Sequence, residues 1–219
     1  MFIGHFAVGF AAKKFAPKTS LGTLFLSAQF LDLLWPILLI FNFEHVRIEP
    51  GNTVLTPLDF YDYPWSHSLL MVLVWAFLFG LTYYRFKKYL RGALAVVVGV
   101  LSHWVLDLFV HRPDLPIYPF GEQKYGFGLW DTPVVAIALE LVIFIISVWF
   151  YVGATDPKDR SGKYGMIFLI ALLVAIWAGN FMGPPPPNTT ALAIVGNAQW
   201  LFVLMGYWVD RHRNITSLS

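Results

Sequence analysis

His103 and Asp107 stand four residues apart in Ser102-His103-Trp104-Val105-Leu106-Asp107. On a helix they share one face, a turn apart, and His111 continues the stripe. An imidazole and a carboxylate so placed can hold one metal ion together, or the carboxylate can orient the ring. A buried His–Asp hydrogen bond that only ties helices together is the plainer alternative at this point. Four further ionisable residues lie in apolar surroundings: His5, Asp32, His67 and Glu140. Groups of this kind inside hydrocarbon are expensive and mark functional sites. For Asp32 the structural alternative is a hydrogen bond to Gln29 or Trp200. Glu140 reads equally well as a protonated group joining helices.

The elements that must position these residues are membrane helices. Of the 219 residues, 58% are hydrophobic and only 13% charged, against roughly a quarter charged in soluble domains. The apolar residues form runs near the length that crosses a bilayer. The expected spans are 21–41, 66–84, 92–110, 133–152, 164–182 and 191–209. A segment from Phe2 to Phe15, too short to cross, precedes them as a half-helix. The fold class is therefore all-α, a polytopic membrane helix bundle of about six transmembrane helices in one domain, 1–219. Cysteine is absent, which excludes disulfides and thiolate metal sites. The first residues lack the basic region of a cleavable signal peptide.

Twelve of the 15 Lys and Arg residues alternate onto one side: Lys13, Lys14, Lys18, Arg85, Lys87, Lys88, Arg91, Lys158, Arg160, Lys163, Arg211 and Arg213. The other side has Arg47, Arg112 and Lys124. This asymmetry predicts a multi-pass cell-membrane protein with the basic side and both termini cytoplasmic. If the half-helix is tucked into the bundle, His5 lies about 12 Å above Lys13, at 1.5 Å per residue. His5, Asp32, His67, His103 and Asp107 then meet in a cavity that opens outward. The loop Pro57-Leu58-Asp59-Phe60-Tyr61-Asp62-Tyr63-Pro64-Trp65 puts aromatics and carboxylates beside His67. It reads as a lid anchored in the interface, with Asp59 or Asp62 directed at His67 or His111, or as a loop lying in the headgroup layer.

Four segments carry a family resemblance: Gly4-His5, Phe30-Leu31-Asp32-Leu33-Leu34-Trp35-Pro36, Ser66-His67-Ser68-Leu69-Leu70, and Ser102-His103 through Asp107. In that order they resemble the YdjM-like family of membrane-bound, metal-dependent hydrolases. More distantly they are similar to the helical zinc-dependent phospholipase C and nuclease fold. The family pattern often has further acidic and histidine residues where this chain has Leu34 and Trp35. It often has His-Arg-Gly where this chain has Asp62-Tyr63-Pro64-Trp65. The resemblance implies metal ligation by His5, Asp32, His67, His103 and Asp107.

Two function classes follow. In the first, a divalent metal such as zinc serves hydrolysis of an ester or phosphoester. Asp62 or His111 is then the general base, and the substrate is a small molecule or a lipid-linked compound met at the membrane surface. In the second, a transporter or permease, the same groups relay protons or bind a cation; no inverted repeat is visible. A non-catalytic membrane protein is the third reading. The partners expected are membrane lipid and substrate, with no nucleic acid.

Overall fold

Apolar runs that cannot leave backbone groups unpaired in hydrocarbon become helices, and the computed structural model is built almost wholly from them. It describes residues 1–119 and 121–216. The helices are α1 (Ile3–Phe15), α2 (Leu21–Ala28), α3 (Phe30–Ile40), α4 (Pro64–His67), α5 (Leu69–Lys87), α6 (Leu90–Val110), α7 (Pro133–Ala154), α8 (Arg160–Met182), α9 (Thr189–Asn197) and α10 (Trp200–Arg211). Short antiparallel strands decorate the ends. β1 (His45–Ile48) pairs with β2 (Leu58–Asp62), β3 (Leu115–Pro116) with β4 (Lys124–Tyr125), and β5 (Thr155–Pro157) with β6 (Arg213–Ile215).

Among the described residues, five stretches are long and apolar enough to cross a membrane: α5, α6, α7, α8 and Thr189–Arg211, which holds α9 and α10. The expected first span, 21–41, is a helix pair, α2 and α3, bent by 59° at Gln29. Counted as one crossing, the pair brings the number to six. Pro36 lies inside α3. Having no N–H, it leaves the Asp32 carbonyl without its helical donor. Polar side chains start several helices: Ser20 caps α2, Asp159 caps α8 and Asn188 caps α9.

The half-helix α1 is the hub. It packs mainly on α7, with α2 and α6 beside it. Phe6 and Phe10 meet Phe25, Phe144, Tyr151 and Phe202 edge to face, in the geometry aromatic pairs favour. Large apolar residues on the outer helices instead face outward, among them Leu73, Phe77 and Ile145, as lipid contact requires.

One end of the bundle gathers the basic linkers. Buried Lys13 donates to the Thr19 carbonyl at 2.9 Å and to the Asp210 carboxylate at 2.8 Å. Thr19 bonds Tyr83, Lys18 lies over the Tyr89 ring, and Lys158 donates to the Arg211 carbonyl. Arg213 donates to Thr155 and to the Gly162 carbonyl. The C-terminal residues therefore join the basic end. Met1 does not: it is buried beside Asp107, because α1 begins inside the bundle and runs toward the lysines.

Candidate metal centre

Each candidate ligand comes from a different turn of structure, and the bend at Gln29 brings them together. Glycine at 99 lets α6 approach α2 closely: a Cβ there would lie 2.4 Å from Ser27 Oγ and 3.3 Å from the Ala28 nitrogen. The Ala28 carbonyl, at the break, accepts a hydrogen bond from His103 Nδ1 at 2.8 Å. Beyond the bend, α3 turns Asp32 toward His103 and His67. The four-residue helix α4 ends on His67, and α1 delivers His5.

The donor atoms converge. Asp32 Oδ1 is 3.6 Å from both His67 Nε2 and His103 Nε2. Asp107 Oδ2 is 3.2 Å from His103 Nε2 and 3.9 Å from His67 Nε2. The other Asp107 oxygen lies 3.0 Å from His5 Nε2. The His5 and His103 rings stack, with centroids 3.6 Å apart and planes within 4°, so one carboxylate meets two stacked imidazoles with one oxygen each. Two trios have the proximity a metal needs, His5 with His103 and Asp107, and Asp32 with His67 and His103. The amino nitrogen of Met1 also donates to Asp107 Oδ1 at 2.7 Å.

Behind the donors stands a second layer that fixes the imidazole tautomers. His103 donates from Nδ1 to the Ala28 carbonyl. Ser66 Oγ lies 2.7 Å from both His67 Nδ1 and Glu44 Oε2. The carboxylate accepts from the hydroxyl, which in turn accepts from the ring. Glu44 Oε1 accepts the Trp65 and Ser66 backbone N–H groups. Burial pushes the Glu44 carboxyl up to about 7, and these donors pull against that rise. His111 Nδ1 bonds Asp114 Oδ1 at 2.9 Å, and Tyr63 donates to the same oxygen. In all three rings Nδ1 is taken, and Nε2 turns toward Asp32 or Asp107.

Five expected ligands, His5, Asp32, His67, His103 and Asp107, are thus brought into one place. Asp32 meets the histidines and not Gln29 or Trp200. His111 stands at the edge, with Nε2 3.9 Å from Asp107 Oδ1. Asp62 does not join them: its carboxylate is half-exposed and bonds His45 at 2.7 Å across the hairpin. The reason is register, since β1 and β2 pair His45 directly with Asp62. Nor is Asp59 directed at a histidine; it pairs with Arg112 and, at 3.6 Å, with Arg47. The hairpin does reach the cavity, but through uncharged residues: Thr56, Pro57, Leu58 and Phe60 border it. Glu140 accepts from Gly4 N–H and Trp177 Nε1. It thereby caps the N-terminus of α1, where an anion is favoured, and ties α8 to α7.

Glu44, Asp114, Tyr63 and the Ala28 carbonyl were not legible as members of the site. Ser66 stood in the sequence only as the neighbour of His67. The centre opens into a cavity of about 400 Å³ that includes Asp32, His67, Asp107 and His111 and runs out toward residues 55–58 and the Pro184–Pro186 region. That end is opposite the basic linkers.

Together these features define a multi-pass membrane protein of the cell membrane with a His/Asp centre inside its helix bundle. The family model described as YdjM inner membrane protein matches residues 1–183, and the chain belongs to that family. No curated protein and no solved structure matches it.

Proposed function

We propose that the protein is a membrane-bound, metal-dependent hydrolase of an ester or phosphoester. The observation that carries this reading is the spacing of four donors: Asp32 Oδ1, His67 Nε2, His103 Nε2 and Asp107 Oδ2. The four Asp–His separations among them, 3.2 to 3.9 Å, are close to the edge of a tetrahedron around zinc, roughly 3.4 Å for bonds of 2.0–2.2 Å. His103 Nε2 is buried without a hydrogen-bond partner. With Nδ1–H given to Ala28, it presents a lone pair to two carboxylates. A cation between them turns that repulsion into coordination. Charge balance agrees: two carboxylates in an apolar bundle call for positive charge, and the Met1 amino group bonds only Asp107.

Asp32, His67, His103 and Asp107 would hold the ion, with His5 on the second oxygen of Asp107. When bound, such an ion would supply Lewis acidity toward the substrate oxygen and toward water. The chain's own groups do the rest. His111, its Nδ1–H held by Asp114, offers Nε2 at the cavity edge to take a proton from water and return it to the leaving oxygen. Ser66 and Glu44 keep His67 in the ligating tautomer. The apolar cavity wall keeps competing water low.

The distribution of basic linkers supports an outward-facing cavity and a cytoplasmic C-terminus; reporter fusions after residues 48 and 88 test this, with outside and inside readings expected. Metal analysis of detergent-purified protein tests the centre. A stoichiometric divalent ion, lost in Asp107→Asn while folding yield holds, is expected. Wild-type protein that stays metal-free after incubation with zinc and manganese would overturn the reading in favour of a proton-relaying or non-catalytic role.

A further inference from the structure

The cavity is longer than a metal centre needs, and its outer part is mostly apolar, with Asn180 the polar side chain that α8 adds to it. Ile176 and Phe181 of α8 border it on one side, Leu192 and Val195 of α9 on the other. Two of these residues are also open to the bundle's exterior, Ile176 at 38% and Val195 at 70% exposure. A residue that borders a cavity and also faces outward marks a lip.

Helix packing explains the opening. α9 packs on α3, and α10 packs on α2 and α8, while α8 and α9 themselves barely touch. At Gly196 a Cβ would meet Pro36 at 2.8 Å, so α9 is pinned to α3 there. Across the gap a Cβ on Gly179 would meet nothing within 4 Å. Gly179 thus looks onto open space in the cavity wall.

We propose that the gap between α8 and α9 is a lateral slot that takes the acyl chain of a bilayer phospholipid. Its polar ester or phosphoester end lies at the Asp32–His67–Asp107 centre. The proposal rests on the hydrolase reading for the fate of the headgroup and adds the substrate class. The polarity gradient is that of an amphiphile. Carboxylates and imidazoles stand at the inner end, and aliphatic side chains line the path to lips that the surrounding hydrocarbon wets. A small hydrophilic substrate would gain nothing from those lips. A lipid that slides in sideways keeps its chain in apolar surroundings throughout, so each buried CH₂ stays out of water.

The test uses the full-length protein in vesicles containing phosphatidic acid with a diazirine in its acyl chain. Photocross-links are mapped by mass spectrometry. Expected are cross-links on α8 near Ile176 and on α9 near Val195, lost in Gly179→Phe. Cross-links to Phe77 on α5, exposed on the outer surface, persist in the variant. Gly179→Ala, which adds only a methyl to open space, retains the slot cross-links. Gly179→Leu replaces the Phe variant if the larger ring prevents folding. The metal content of Gly179→Phe, equal to that of wild type, reports that the variant folds around an intact centre, and the wild-type protein is assayed in parallel for turnover of p-nitrophenyl phosphate. Cross-links confined to outward faces, or slot cross-links insensitive to a folded Gly179→Phe or Gly179→Leu, overturn the proposal. Absence of metal and of phosphatase turnover with the slot cross-links intact overturns the hydrolase reading and leaves the lipid slot standing.

Discussion

Ser66→Ala isolates the layer behind the ligands. The hydroxyl makes two bonds of 2.7 Å, one to Glu44 Oε2 and one to His67 Nδ1. Its removal leaves a buried imidazole N–H and one carboxylate oxygen without those partners. Glu44 keeps its two backbone N–H donors, at 2.7 Å each, so the loop entering α4 retains its anchor. An unpaired buried donor costs about 1–3 kcal/mol of stability. The larger consequence falls on metal. Without the hydroxyl, His67 is free to rotate or to carry its proton on Nε2, the atom that faces Asp32. Loss of such an orienting partner lowers metal affinity by about 10–100-fold, equivalent to about 1.4–2.8 kcal/mol at 1.4 kcal/mol per decade. The assay is competition with a chelator of known affinity, read on detergent-purified protein beside a thermal melt. Ser66→Thr keeps the hydroxyl and should restore most of the affinity. A Ser66→Ala protein that melts as expected but binds metal as tightly as wild type would refute the relay, and with it the assignment of His67 as a ligand through Nε2.

Three further outcomes follow from the geometry. Asp62→Ala should leave metal affinity unchanged and alter stability by less than about 1 kcal/mol, because its partner His45 is a half-exposed surface group; chelator competition and a melt check both. Gly99→Ala drives a methyl toward Ser27 and should destabilise by about 1–3 kcal/mol; metal affinity should fall with it, since α2 carries the Ala28 carbonyl that orients His103. Glu44 sets a pH dependence in the chelator-treated protein. Its folded value, raised by burial to about 7 from 4.5, means the folded chain holds a proton that the unfolded chain has already lost. Its stabilising contribution is therefore full below pH 4.5 and lost as pH rises to about 7. The melting temperature should fall across that window, and Glu44→Gln should flatten the fall.

The linear chain already specified the apolar crossings and the residues that gather at the centre. Apolar runs with charged breaks define helices because hydrocarbon allows no other solution for the backbone. Ionisable residues in apolar surroundings are rare enough to stand out singly, which is why His5, Asp32, His67, His103 and Asp107 were all legible as candidates for one centre. The i, i+4 spacing of His103 and Asp107 alone fixed which helix face they share. Folding in three dimensions decided the remainder. The first span is bent at Gln29, where Gly99 lets α6 pack closely and the Ala28 carbonyl accepts from His103. That bend aims Asp32. Asp62 stood next to His67 in sequence yet went to His45, because strand register, and not proximity along the chain, chooses cross-strand partners. Glu44 lies 22 residues before Ser66 and carries no local signal, so its place behind His67 exists only once the hairpin has closed. The lateral slot was equally invisible. Nothing in the residues of α8 or α9 says that the two helices stand apart. Each is apolar all round, and only packing against α3 and α10 settles which faces close and which stay open to lipid.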